Sequence, residues 1–99
     1  RELAADVRSK EGSAAAYYVL EETFEKGDMD KIEKAIFAYS EREPQAYWLA
    51  KAFILLGDVY VRKGDNFQAR ATYQSVADGY SPADDGIVDE AKERIAKLN

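Results

Sequence analysis

Histidine and cysteine are absent from this sequence, and it holds two prolines, one methionine and one tryptophan. Each gap removes chemistry. Without thiolates or imidazoles there is no structural zinc site, no disulfide and no c-type haem attachment. A His general base and a Cys nucleophile go with them. Long apolar runs are missing too. The richest stretch, Ala46 to Val61, is broken by Lys51, Gly57 and Asp58, so nothing approaches the ~18 residues of a membrane span. No signal-peptide pattern is present. Basic residues number 14 against 19 acidic, a formal charge of −5. That balance argues against nucleic-acid binding, which rests on a Lys/Arg surplus.

What is present fits one folded domain. The chain has 99 residues, 46% of them hydrophobic, which is ordinary for a globular core and too much for disorder. It begins at Arg1, so a fragment of a longer protein is expected. Between the few Gly and Pro residues every segment shows helical periodicity, and none shows the alternation of a strand. Six helical pieces are predicted: about 2–10, 13–26, 29–40, 45–63, 66–78, and a last one following Asp84 and Asp85 to about Leu98. Gly12, Gly27, Gly64 and Gly79 are read as helix stops, Ser13 as the N-cap of the second piece, and Pro44 and Pro82 as breaks. The fourth piece is apolar on several sides and is expected to be buried on several sides. The last carries Ile87, Val88, Ala91, Ile95 and Leu98 on one face. Its opposite, solvated face carries the pairs Glu90–Arg94 and Glu93–Lys97.

A repeat is the strongest signal. Lys-Gly-Asp occurs at Lys26-Gly27-Asp28 and, 37 residues later, at Lys63-Gly64-Asp65. Each copy follows a long helix and precedes a shorter amphipathic one. The second unit reads Phe53-x2-Leu56-Gly57-x2-Tyr60, then Ala69-x3-Tyr73, then Pro82. Gly57 and Ala69 are small enough to bring two antiparallel helices close, with Phe53, Tyr60 and Tyr73 filling the space beside them. The first unit keeps the spacing, with Leu20 and Ile32 in place of the two small residues.

This pattern resembles the tetratricopeptide repeat family. The run from Gln45 to Asp58 is similar to the C-terminal repeats of large tetratricopeptide proteins of Bacteroides-type bacteria. The resemblance implies an all-α fold, in which antiparallel helix-turn-helix repeats stack as a short right-handed α-solenoid with a C-terminal capping helix. Residues 1–11 would end a preceding repeat, 13–44 and 46–82 would form two repeats, and 84–99 the cap. It further implies an exported, periplasmic or cell-envelope location, and a protein-interaction scaffold that binds a peptide or protein on its concave face. The corresponding groove positions are Ala14, Tyr17, Glu21, Phe24 and Glu25 in the first unit. In the second they are Lys51, Ile54, Asp58, Val61 and Arg62.

Those residues suggest an apolar floor with acidic patches at Glu21, Glu25 and Asp58, suited to a partner with apolar and basic residues. The carboxylates that make up the surplus charge would then mark the binding face. A terminal-carboxylate clamp is not expected, because Glu21, Ile54 and Asp58 occupy places where that mode needs Lys and Asn. Tyr47 and Trp48 have two readings: an anchor for a partner, or packing on the preceding unit's second helix. An end cap or self-association module of a longer protein is the alternative to a binding groove. Paired carboxylates at Glu21-Glu22, Asp84-Asp85 and Asp89-Glu90 are adjacent in sequence and do not face each other across a cleft. No phosphate loop, EF-hand order or nucleophile motif is present. The reading is of a protein that is not an enzyme and takes no cofactor and no metal.

Overall fold

Gly27 and Gly64 adopt φ values of +93° and +82°, a backbone region that L side chains rarely enter. Each therefore ends one helix and lets the next Asp begin another. Asp28 and Asp65 are those N-caps, their carboxylates accepting from the backbone N–H of Lys31 and Gln68 at 3.1 Å. Residues 9–80 and 85–98 are described by the structure, a computed structural model. They form five helices: α1 (Lys10–Glu25), α2 (Met29–Glu41), α3 (Ala46–Arg62), α4 (Asn66–Gly79) and α5 (Ile87–Lys97).

Helix α3 is central. Its Leu55, Leu56 and Val59 bury against Tyr17 and Leu20 of α1 and Ile32 and Ile36 of α2. Its Ala50 and Ile54 bury against Tyr73 and Val76 of α4 and Ile87 and Ala91 of α5. The all-round apolar pattern of this segment thus has a direct cause: α3 packs against all four other helices.

The expected right-handed solenoid of tetratricopeptide-type repeats is not what these helices build. The described helices instead form a compact bundle around α3, which contacts all four others. The radius of gyration, 13.0 Å, matches the ~13 Å of a compact domain of this length. A chain this short buries enough surface only by closing on itself. Nor does the repeated sequence produce repeated packing. Lys63 Nζ, at the end of α3, clasps Asp30 Oδ1 at 2.7 Å and Glu33 Oε1 at 2.8 Å on α2. Gly57 lies under the ring of Tyr73, whereas Leu20 takes the equivalent place in the first unit.

Other expectations are corrected locally. Helix α1 is capped by Ser9, whose hydroxyl accepts from Gly12 N–H at 2.9 Å. Gly12 and Ser13 therefore lie inside the helix, and neither stops nor caps one. Ser13 is fully buried. Its Oγ accepts from Gln45 N–H at 2.9 Å, and its carbonyl accepts from the Tyr39 hydroxyl at 2.8 Å. Helix α5 is capped by Gly86 at φ +91°, with Asp85 Oδ1 accepting from Ile87 N–H at 3.1 Å. The helix predicted at 2–10 lies outside the described residues except at its end, where Lys10 already belongs to α1; Pro82 and Asp84 lie outside them too.

Candidate functional site

The predicted groove residues lie on α1 and α3, and the structure gathers them in two places. Tyr17, Glu21, Lys51, Ile54 and Asp58 surround a small cleft of about 90 Å³, closed on its third side by Glu90 and Arg94 of α5. Phe24, Asp58, Val61 and Arg62 line a second, wider cleft of about 330 Å³ with Arg94, Lys97 and Leu98. Glu25 is exposed and lines neither. Ile54 lies at the base of the first cleft and is nearly covered, at 3% exposure.

Helix α5 explains the closure of the first cleft. Glu90 and Arg94 were expected on a solvated outer face, yet both turn toward α3. Their i,i+4 pair forms at 3.1 Å. Arg94 Nε also reaches Asp58 Oδ1 at 3.5 Å, and Lys51 Nζ lies 4.0 Å from Glu90. Asp58 in addition accepts from the Tyr73 hydroxyl. Burial pushes the Asp58 carboxyl above its ordinary range, while the Tyr73 hydrogen bond and Arg94 pull it back. Tyr17 is pushed up first by burial and then by Glu21, which accepts its hydroxyl at 3.2 Å. Lys51, Glu90, Arg94 and Asp58 thus pair with one another, while Glu21 holds the Tyr17 hydroxyl.

The Asp58 shift sets a pH dependence. A carboxyl raised in the fold binds its proton more tightly there than in the unfolded chain, so ionising it costs the fold. Asp58→Asn is expected to melt a few degrees higher than the wild type at pH 7. The gap should close as pH falls toward the ordinary carboxylate range. Thermal unfolding across that span checks it; a gap that does not change with pH sinks the assignment.

The second cleft departs from the expected acidic character. Its floor is apolar, through Phe24, Val61 and Leu98, but its rim is basic, through Arg62, Arg94 and Lys97. Arg62 lies 4.7 Å from the Phe24 ring centroid. Basic residues at the ends of α3 and α5 are also where helix dipoles favour them.

An aromatic cluster stands beside the first cleft. Trp48 contacts Tyr17, Tyr18 and Tyr47 with ring centroids 5.5, 5.6 and 5.0 Å away. Trp48 therefore packs its ring on α1 and joins the core cluster shared by α1, α2 and α3. Lys51 Nζ caps the cluster, 5.7 Å from the Tyr17 ring and 5.9 Å from that of Tyr47. Tyr18 and Val19 are 56% and 59% exposed and Tyr47 37%. Tyr18 was not among the sequence candidates. Its signal was its place, one residue after Tyr17 and three and four before Glu21 and Glu22 on the same helical side. Glu22 and Glu25 have no ion-pair partner among the described residues. They sit with Glu21 in the last two turns of α1, where the helix dipole disfavours negative charge.

Among the described residues no group of His, Cys, Asp and Glu is arranged to hold a metal ion, and no helix is long and apolar enough to cross a membrane. The class defined so far is an all-α five-helix bundle whose polar surface bears exposed aromatics. Comparison with protein-family models, with curated proteins and with solved structures finds no match.

Proposed function

We propose that this chain is a protein-interaction module, and that it binds a partner segment carrying apolar and basic side chains on the α1–α3 face. One observation carries the reading: an aromatic cluster with Tyr18 and Tyr47 open to solvent adjoins the carboxylates of Glu21 and Glu22. Aromatics dominate interface hot spots because they bury much area with few rotors. Carboxylates set against their own helix dipole gain most from a partner's cation. An apolar side chain would lie on Tyr18 and Tyr47, and a Lys or Arg beside Glu21 and Glu22. Phe24, Val61 and Arg62 fall outside this site, since their cleft has a basic rim.

Trp48 is the single tryptophan, so its emission reports on the site directly. Short peptides alternating Leu with Arg are expected to shift that emission saturably, with Kd in the range of about 10–100 μM typical of small transient contacts. The same peptides with Glu for Arg should bind at least about tenfold more weakly. Tyr18→Ala should weaken the Leu-Arg peptide by a similar factor. Equal binding of the basic and acidic peptides, or unaltered binding by Tyr18→Ala, overturns the reading.

A further inference from the structure

Helices α1, α3 and α5 finish beside one another, and the last turn of each lines the cleft of about 330 Å³. The chain as a whole carries −5, yet three of its 14 basic residues, Arg62, Arg94 and Lys97, meet here against a single lining carboxylate, Asp58. That carboxylate is already engaged. Asp58 accepts from the Tyr73 hydroxyl, and Arg94 lies 3.5 Å from its Oδ1 and 3.1 Å from Glu90. Arg94 is therefore neutralised from two sides. Arg62 acts on Asp58 only from beyond ion-pair distance, and neither Arg62 nor Lys97 has an ion-pair partner among the described residues. Glu25 and Glu93, further carboxylates towards the ends of α1 and α5, are exposed and line no part of the cleft.

Helix dipoles account for part of this charge. Each C-terminus presents about half a negative charge, which a whole cation more than offsets. Arg62 is also held in place. Its guanidinium lies 4.7 Å from the Phe24 ring centroid, so less freedom is lost when it takes up a ligand. The floor beneath is apolar and partly in water: Val61 is 40% exposed, and Phe24 and Leu98 are half-buried.

We infer that this cleft is a second binding site, which takes a partner segment with one Leu- or Phe-sized side chain flanked by Asp or Glu. Charge complementarity selects that occupant. The apolar side chain covers Phe24, Val61 and Leu98, and the carboxylates meet the two cations that no carboxylate of the chain pairs with. The floor is three side chains in extent and open to solvent, which suits one side chain on a peptide and leaves an acyl chain largely in water. The site is separate from the α1–α3 face, since Tyr18, Tyr47 and Trp48 line no part of it.

Methyl resonances of Val61 and Leu98 in the whole chain test this. Peptides alternating Leu with Glu are expected to shift them saturably, with Kd on the order of 100 μM and little change in Trp48 emission. The same peptides with Arg for Glu should bind this cleft at least about tenfold more weakly. Lys97→Glu, at an exposed position, should weaken the Leu-Glu peptide at least about tenfold with helical circular dichroism unchanged. Arg62→Gln should weaken it about threefold or more. Lys10→Glu, about 20 Å away along α1 at 1.5 Å per residue, should leave it as it was. Raising NaCl from about 0.05 to about 0.5 M should loosen the complex, because its charges are exposed to screening. Resonances that stay in place at about 1 mM peptide overturn the inference. So does equal binding of the Leu-Glu and Leu-Arg peptides, or a Lys97→Glu protein that binds like the wild type. Decanoate that shifts the same methyl groups where the peptide does not assigns the cleft to a lipid anion and overturns the peptide occupant.

Discussion

Gly57→Ala is expected to lower the melting temperature by roughly 10–20 °C. Gly57 is buried in the middle of α3, directly under the Tyr73 ring. A methyl group there would lie 2.6 Å from Cδ1 and 2.7 Å from Cζ of that ring, well inside van der Waals contact. The ring has little room to retreat. Tyr73 is 1% exposed, and its hydroxyl is tied to Asp58. Alanine in a helix interior is otherwise favoured over glycine by ~1 kcal/mol, so the steric cost has to exceed that gain. Overpacking of about 3–4 kcal/mol, above the usual ~1–3 because the ring cannot retreat, leaves a net loss of about 2–3 kcal/mol. Thermal and urea unfolding measure it. Combining Gly57→Ala with Tyr73→Leu should give a coupling energy above ~1 kcal/mol, because the two changes act on one contact. A melting temperature within a few degrees of the wild type would show that α3 and α4 do not approach so closely.

The second large effect is alkaline unfolding. No His or Cys side chain titrates near neutrality, so stability is expected to be flat between about pH 6 and 9. Above that the tyrosines take over. Burial pushes Tyr39 up to about 12. Tyr73 is pushed up by burial and then by Asp58, Tyr17 by burial and then by Glu21, and Tyr60 by burial and then by Glu33. A raised pKa means that the unfolded chain ionises first. The stability contributed is complete below about pH 10 and is lost as pH rises toward 12. Tyr39 alone, two units above its ordinary value and 3% exposed, accounts for about 2–3 kcal/mol. Lys63, raised chiefly by its hydrogen bonds to Asp30 and Glu33, works in the same direction. Against a total stability of about 5–15 kcal/mol, a cooperative loss of helix between pH 10 and 12 follows. Helical circular dichroism and tyrosinate absorbance should change together. Tyrosines that ionise gradually near pH 10 with helicity intact would contradict the burial of their hydroxyls.

Much of the local structure was legible in the sequence because its causes are local. Lys-Gly-Asp demands a left-handed glycine followed by an Asp cap, and both copies deliver it. The spacing from Phe53 to Tyr60, set against Ala69 and Tyr73, pointed to the close approach of α3 and α4 at Gly57. The overall arrangement was not legible, and the reason is physical. A Glu90–Arg94 pair reads the same whether it faces water or turns onto Asp58 and Lys51. The spacing within the two units reads the same whether or not their helices pack alike, and leaves open whether a fifth helix closes over the third. Ser13 was misread because a buried serine bonded to a distant Gln45 resembles a cap in every local respect. The candidate site was half visible. Tyr17, Glu21, Lys51 and Asp58 do assemble, while the exposed Tyr18 beside them is distinguished only by which way α1 faces.

The Ser13 linkage also bears on the order in which the chain folds. It joins α1 to Gln45 across 32 residues through the Ser13 hydroxyl, while the Tyr39 hydroxyl of α2 donates to the carbonyl of the same serine. Helices α1 and α2 are tied to each other by the Tyr39 bond, but lack most of their apolar cover until Leu55, Leu56 and Val59 follow. Loop-closure entropy has to be met before such distant contacts form. Helices α3 and α4, joined by the three residues Lys63-Gly64-Asp65 and packed closely at Gly57, have no such delay. Of these two hairpins the one synthesised earlier is thus the one that waits, and the later one is the template onto which it condenses.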